Sequence, residues 1–313
     1  MKPTLVVAGS LNMDFAVVTD HLPAPGETVL GRNFQMIPGG KGANQACAAG
    51  KTGGGAVNVR MAGRVGYDLF GDHLKASLAA AGVDVSAVWA TKSQPTGVAL
   101  IWVDENGQNS IVVASGANYA FAAQEVEALR PTFRGATVAL FQLETPLDTV
   151  AAALALAREE GATTVLDPAP ARPLSRDLLQ QVDLLTPNES EACLLLGRPA
   201  QRVRPEDCPE LARALLAMGP RAVVLKLGEL GCFYSDREEQ FLSPGFRVQA
   251  VDSTAAGDTF NGALAVALAE GKPMREALRF ANAAAAISVT RMGAQTSIPT
   301  RAEVEALLEA EKS

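Results

Sequence analysis

Asp258 closes a run of small residues in Asp252-Ser253-Thr254-Ala255-Ala256-Gly257-Asp258-Thr259-Phe260-Asn261-Gly262, and the apolar stretch 263–269 follows directly. Strand-forming residues up to Val251, turn residues and then small helix formers predict a strand, a tight turn and a helix beginning near Gly257. The unpaired N–H groups at such a helix start, with the positive end of the helix dipole, form a place for an anion. Ala255, Ala256 and Gly257 leave that backbone uncovered, so a phosphate can approach it. A carboxylate beside an anion site has a distinct task in phosphoryl transfer: the N–H groups stabilise the moving charge while the Asp accepts the proton of the attacking hydroxyl. Asp258 equally fits a simple complement to the helix dipole, and on this stretch alone both readings stand.

Other candidates lie at turns. In Gly9-Ser10-Leu11-Asn12-Met13-Asp14, Asn12 and Asp14 would share one side of an extended chain and suit a polyol, or form an ordinary Asx turn. Pro38-Gly39-Gly40-Lys41-Gly42-Ala43-Asn44-Gln45 is a second glycine-rich turn opening a helix, with Lys41 and Asn44 free for a ligand. It is not a Walker loop, since its glycines, lysine and hydroxyl residue are in the wrong order. Gly50-Lys51-Thr52 resembles the end of such a loop, but Gln45 stands where its first glycine belongs. Glu144, Asp167, Asn188, Lys226 and Gly228 fall at expected strand ends, and Gly228 and Gly231 would either admit a nucleotide or make a tight turn.

Positioning these residues requires an α/β fold. From about Ala120, expected strands at 137–143, 163–167, 184–185 and 223–227 alternate with helices at 146–160, 189–196 and 205–218, followed by a strand at 232–235 and helices at 274–289 and 301–311. That alternation predicts a central, mostly parallel sheet flanked by helices on both faces, with ligands at the carboxyl ends of its strands. Strands expected at 15–18, 27–37, 85–90, 97–103 and 109–114, with a hairpin loop at Asp104-Glu105-Asn106-Gly107, have a different character. They predict a small β-sheet lid made of 15–37 and 85–114 over a core of 1–14, 38–84 and 115–313.

Composition narrows the function classes. The chain is 48% hydrophobic with 28 glycines, as in an ordered globular protein. A net charge of −7 argues against a nucleic-acid or anionic-membrane partner, so any polyanion must bind in a local site. The N-terminal residues show no signal peptide, and no apolar run reaches membrane-spanning length. Cys47, Cys193, Cys208 and Cys232 are scattered, which fits reduced thiols in a cytoplasmic protein, and His21 and His73 complete no zinc site.

The stretches Gly39 to Gln45 and Thr254 to Phe260 resemble the two signatures of the ribokinase-like (PfkB) sugar kinases. Gly9 to Asp14, Gln142-Leu143-Glu144-Thr145-Pro146, Thr186-Pro187-Asn188-Glu189 and Arg291-Met292-Gly293-Ala294-Gln295 extend the likeness over nearly the whole chain, in the same order. The resemblance implies ATP-dependent phosphorylation of D-ribose at its 5-hydroxyl. It assigns Asn12, Asp14, Gly39, Gly40, Lys41, Asn44 and Glu144 to the sugar, Asp258 to the base, and Ala255, Ala256 and Gly257 to the anion hole. ATP would lie along Asn188, Lys226, Gly228, Gly231, Gly257 and Asn282, bringing Mg²⁺ with it. A potassium ion would sit at Asp252, Thr254, Ser288, Arg291, Gly293 and Ser297, and the lid would form a homodimer interface.

Two positions depart from the family pattern. Lys226 stands where many relatives carry a small hydroxyl residue, and Met13, between two sugar ligands, is expected to reshape the pocket entrance. Deoxyribose, fructose or a keto-deoxy sugar acid therefore stay open as acceptors, and a non-catalytic sugar or nucleotide sensor is the reading from another class.

Overall fold

The computed structural model describes residues 2–104 and 109–311. Its strands are β1 (Thr4–Ala8), β2 (Asn12–Val18), β3 (Arg32–Gly39), β4 (Asn58–Gly66), β5 (Val83–Thr91), β6 (Gly97–Val103), β7 (Asn109–Ala114), β8 (Val138–Phe141), β9 (Thr163–Leu166), β10 (Leu184–Leu185), β11 (Ala222–Lys226), β12 (Gly231–Ser235) and β13 (Gln240–Pro244). The α-helices are α1 (Lys41–Gly53), α2 (Leu69–Ala80), α3 (Arg130–Phe133), α4 (Leu147–Glu159), α5 (Arg176–Leu179), α6 (Glu189–Leu195), α7 (Cys208–Ala217), α8 (Ala256–Ala269), α9 (Met274–Ser288) and α10 (Arg301–Ala310).

Nine strands form one sheet in the order β13-β12-β11-β10-β9-β8-β1-β4-β5, parallel from β11 to β5. β12 and β13 are antiparallel additions at one edge. The central strands β1 and β8 are buried along their whole length, because helices cover both faces and leave no wet side to alternate with. Two apolar layers result, one on each face, and the helices α1, α8 and α9 belong to the first. α1 and α8 are rich in Ala and Gly because their backbones nearly touch. A Cβ at Gly262 would lie 2.5 Å from the Gln45 carbonyl oxygen. That close approach brings the starts of α1 and α8 to one place.

The second sheet has the order β3-β2-β6-β7, with β2 and β6 parallel and the outer pairs antiparallel. The mixed α/β architecture with a large, mostly parallel sheet and a small second sheet is thus as expected. Several details differ. The strand expected at 85–90 in the small sheet is β5, which pairs with β4 at the edge of the large one. An edge strand with one open face alternates in burial as a lid strand does, so its composition does not reveal its sheet. Residues 27–31 precede β3 without joining it. The expected strand running to Val251 is absent, because beyond β13 no neighbouring strand remains to pair with 245–251. This segment instead anchors on α9, with the Val251 and Asp252 N–H groups donating to Val289 O at 2.7 and 3.1 Å. Of the expected hairpin loop, residues 105–107 lie outside the described residues.

Candidate active site

Asp258 lies in the first turn of α8, buried, with both carboxylate oxygens held by amides from α1. Asn44 Nδ2 donates to Oδ2 at 3.1 Å and Gln45 Nε2 to Oδ1 at 3.0 Å. Burial pushes the Asp258 carboxyl up. Lys41 opposes that shift and Asp167 adds to it, and with the two amide bonds the value settles at about 6. The residue before the helix, Ala255, has φ 57° and ψ 15°, a left-handed conformation that directs successive N–H groups to one side. The Ala256 N–H is already engaged with Ser253 O at 3.2 Å. Among the described residues the N–H groups of Ala255 and Gly257 have no protein acceptor. Of the three expected anion-hole donors, therefore, two are open and one is turned inward.

The expected sugar residues surround the other side of Asp258. The 38–40 turn lies against the chain after β1: Gly40 has φ 86°, and a Cβ there would be 2.7 Å from Asn12 N. A Cβ on Gly39 would run into the Asp14 carboxylate. Asn12 Oδ1 accepts from Asn118 Nδ2 at 2.7 Å, which orients the Asn12 amide with its own NH₂ outward. Glu144 Oε2 accepts from Ser10 Oγ at 2.6 Å and from Lys41 N at 3.0 Å. Burial, then the charges of Glu144 and Asp258, push Asp14 up to about 7. Burial alone would depress Lys41, but Asp258, Asp167 and Glu144 outweigh it and the ammonium holds its proton more tightly than usual. The carboxylates gathered around this one ammonium keep acceptor capacity beyond the bonds they already make, and a polyol supplies donors for it. Met13, between Asn12 and Asp14, points the opposite way along β2 into the core and is 2% exposed, so it does not shape the entrance.

Two cavities meet at the start of α8. One, of about 450 Å³, is lined by Lys41, Asp167, Asn188, Glu191, Ala255 and Asp258 among others. The other, of about 550 Å³, has apolar walls from Phe246, Val248, Phe260, Ala285 and Val289, with Gly231 and Asn282 also lining it. Lys226, Gly228, Ser253, Ala256 and Gly257 border both. An apolar chamber for a flat base opening onto free N–H groups and an ammonium suits a nucleotide by its chemistry. Lys226 Nζ holds Asp167 Oδ1 at 2.9 Å and lies 3.5 Å from where a Gly257 Cβ would be, so it faces the open N–H groups. Asn188 is the N-cap of α6, its Oδ1 accepting from Glu191 N at 2.8 Å. Asn282 donates to Ser243 and Pro244 and fixes the end of β13.

The positions expected for a monovalent cation come together only in part. Asp252 gathers Thr254 N and Oγ1 on one oxygen, at 2.9 and 2.6 Å, and Gly293 N on the other at 2.8 Å. Burial opposes it, but these bonds hold its carboxyl below the ordinary value. The Ser288 and Ser297 hydroxyls donate to Ala285 O and Ala294 O, while the Arg291 guanidinium pairs with Glu303.

Gln45, Asp167, Asn118 and Gln142 contribute to the site without having been assigned roles from the sequence. Asp167 had a signal, its place at a strand end. Gln45 had only its neighbourhood, and Asn118 had none.

Residues 2–301 match the pfkB family carbohydrate kinase profile. A ribokinase of Haemophilus influenzae is 42% identical over 309 residues, covering 99% of both chains. The crystal structure of a Thermotoga maritima ribokinase superposes with a TM-score of 0.89 at 38% identity, covering 99% of this chain and 100% of that one. An Arabidopsis thaliana ribokinase complexed with ribose and ATP superposes with a TM-score of 0.90 at 34% identity, covering 99% of both.

Proposed function

This chain belongs to the pfkB family of carbohydrate kinases, and we propose that its reaction is transfer of the γ-phosphoryl group of ATP to the 5-hydroxyl of D-ribose, the reaction of a ribokinase. The observation that carries this reading is the place of Asp258. It is a buried carboxylate fixed by two amides, where an acid-lined pocket meets an apolar cavity across an open anion nest. A sugar hydroxyl is a very weak acid, so Asp258 orients it and collects its proton as the phosphoryl group moves. A carboxyl with a pKa of about 6 is mostly ionised at neutral pH and ready for that task.

In this reading Asn12, Asp14, Lys41, Asn44 and Glu144 bind the sugar hydroxyls, and Gly39 and Gly40 let their turn pack closely against Asn12 and Asp14. Ala255 and Gly257 offer N–H groups to the moving phosphoryl group, while Lys226, Gly228 and Gly231 border the nucleotide and Mg²⁺ arrives with ATP. A potassium ion would be held beside the anion hole by the turn that Asp252 ties to Gly293, and would supply positive charge there. The small sheet serves as a lid that excludes competing water. Its exposed Phe34, Met36, Ile111 and Val112 support a homodimer through this surface. Four buried, unpaired cysteines support a reducing, cytoplasmic setting, and no helix among the described residues is long and apolar enough to cross a membrane.

ATP-to-ADP turnover with ribose, deoxyribose, fructose, adenosine and fructose 6-phosphate, with and without potassium, tests the reading. Strong ribose-dependent turnover raised by potassium is expected. Preference for another sugar overturns the ribose assignment and leaves the Asp258 chemistry standing. Binding without turnover overturns both in favour of a sensor.

A further inference from the structure

Gln45 is fully buried, and both ends of its amide are used. Its Nε2 donates to Asp258 Oδ1 at 3.0 Å and to Asp167 Oδ2 at 2.9 Å. Its Oε1 accepts from Gln142 Nε2 at 2.6 Å. One NH₂ group carries two hydrogens, so a single side chain serves two carboxylates that would otherwise only repel each other. The Gln142 bond fixes which way the amide faces, since a flipped Gln45 would turn its oxygen toward both carboxylates. Among the described residues the Gln142 oxygen is buried without a hydrogen-bond partner. Leaving a buried acceptor unpaired is unfavourable, which the protein tolerates here to keep Gln45 oriented.

We propose that Gln45, locked by Gln142, is a positioning residue for phosphoryl transfer: it fixes the orientation and charge of the Asp258 carboxylate and ties it through Asp167 to Lys226. The proposal rests on the phosphotransfer reading above. Gln45 itself lines neither cavity and reaches the site only through Asp258 and Asp167, so it acts through Asp258 and not on the substrate. Lys41, Asn44 and Gln45 from α1 face Asp258, as do Asp167 beyond β9 and Asp14 from β2. Lys226 reaches the group through Asp167, and Glu144 acts on Asp14 and Lys41. Among these, Gln45 is the group that donates to two of the carboxylates at once. Removing it takes a donor from the charged form of Asp258 and leaves Asp167 less well compensated. Both changes favour the protonated acid.

The test is Gln45→Met, which keeps length and removes both donors. With the sugar that the wild type turns over, kcat is expected to fall about 10-fold or more, with KM for sugar and ATP within about threefold. The acid limb of the kcat–pH profile is expected to move up by about half a unit or more. A fall in kcat with the limb unmoved, or a loss confined to KM, overturns the proposal and leaves Gln45 a packing residue. Gln142→Met keeps both bonds to the carboxylates and frees the amide to rotate. It is expected to move the limb in the same direction by less, and it replaces Gln45→Met if that variant does not fold. Infrared titration of the Asp258 carboxylate, taken as the difference from Asp258→Asn, reads the same shift without turnover. A wild type lacking sugar-dependent turnover would therefore sink the kinase reading, while the infrared shift would still decide whether Gln45 sets the state of Asp258.

Discussion

Two turns open helices onto the same site, and they are built on opposite grounds. Gly40 leads into α1 with φ 86° and ψ 134°, and Ala255 leads into α8 with φ 57° and ψ 15°; neither is capped by its own side chain. At Gly40 there is no room: the backbone before Asn12 fills the space a Cβ would take. At Ala255 a methyl group fits, and the unusual feature is the left-handed backbone, which an alanine adopts at a cost of about 1–2 kcal/mol. The sugar-side turn therefore answers to packing, and the phosphoryl-side turn to the direction of its N–H groups. Substitutions on the two sides should fail in different ways.

The largest effect is expected on the phosphoryl side. Asp258→Asn keeps the size of the side chain and removes the proton acceptor, so kcat should fall at least about 10²–10⁴-fold. Calorimetric binding of sugar and ATP should persist. Near-normal turnover with both ligands bound would end the base assignment and return Asp258 to a helix-dipole role.

Gly40→Ala should act next most strongly, and in another currency. A Cβ 2.7 Å from Asn12 N combines with a backbone conformation that suits glycine. Together they should cost about 2 kcal/mol or more of unfolding free energy and weaken sugar binding. Denaturant unfolding checks the first and sugar KM the second. An unchanged midpoint would show that the turn yields, and the contrast between the two turns would collapse.

A third expectation concerns pH. Asp14 and Asp258 have carboxyls raised to about 7 and about 6 from an ordinary value of 3.8. A raised acid favours the folded state below its unfolded pKa and loses that advantage as pH climbs through the folded value. Between about pH 4 and pH 7 these groups should therefore lower stability progressively. Asp14→Asn removes one of them. The thermal midpoint of wild type minus that of the variant should decline across this window, and a flat difference would show that Asp14 titrates as an ordinary surface acid.

What was readable before the structure follows the same division. Gly40 and Ala255 to Asp258 stood out because a demand on the backbone leaves its mark on composition: a turn that must be bare is written in small residues. The alternation that built the large sheet was legible for the same local reason. Gln45 was not, since its role depends on Gln142, Asp167 and Asp258, which lie 97, 122 and 213 residues away. Asn118 braces Asn12 across 106 residues from a short turn with no pattern of its own. The sheet to which β5 belongs is not legible from its residues, because burial on one face is alike in both sheets and only pairing with β4 distinguishes them.

The smallest effect should come from Ala255→Gly. Glycine relieves the left-handed strain, worth about 1–2 kcal/mol, but gives back about 0.5–1 kcal/mol through the greater freedom of the unfolded chain. Stability should change by less than about 1 kcal/mol and rise if anything. Turnover should fall modestly, because a glycine visits other conformations and no longer holds the Ala255 and Gly257 N–H groups in one direction. This sets the variant apart from Gly40→Ala, where stability carries the loss. A clear loss of stability in Ala255→Gly would mean that its methyl is packed after all. Both turns would then be governed by contact, and the direction of the N–H groups at α8 would be a by-product of packing.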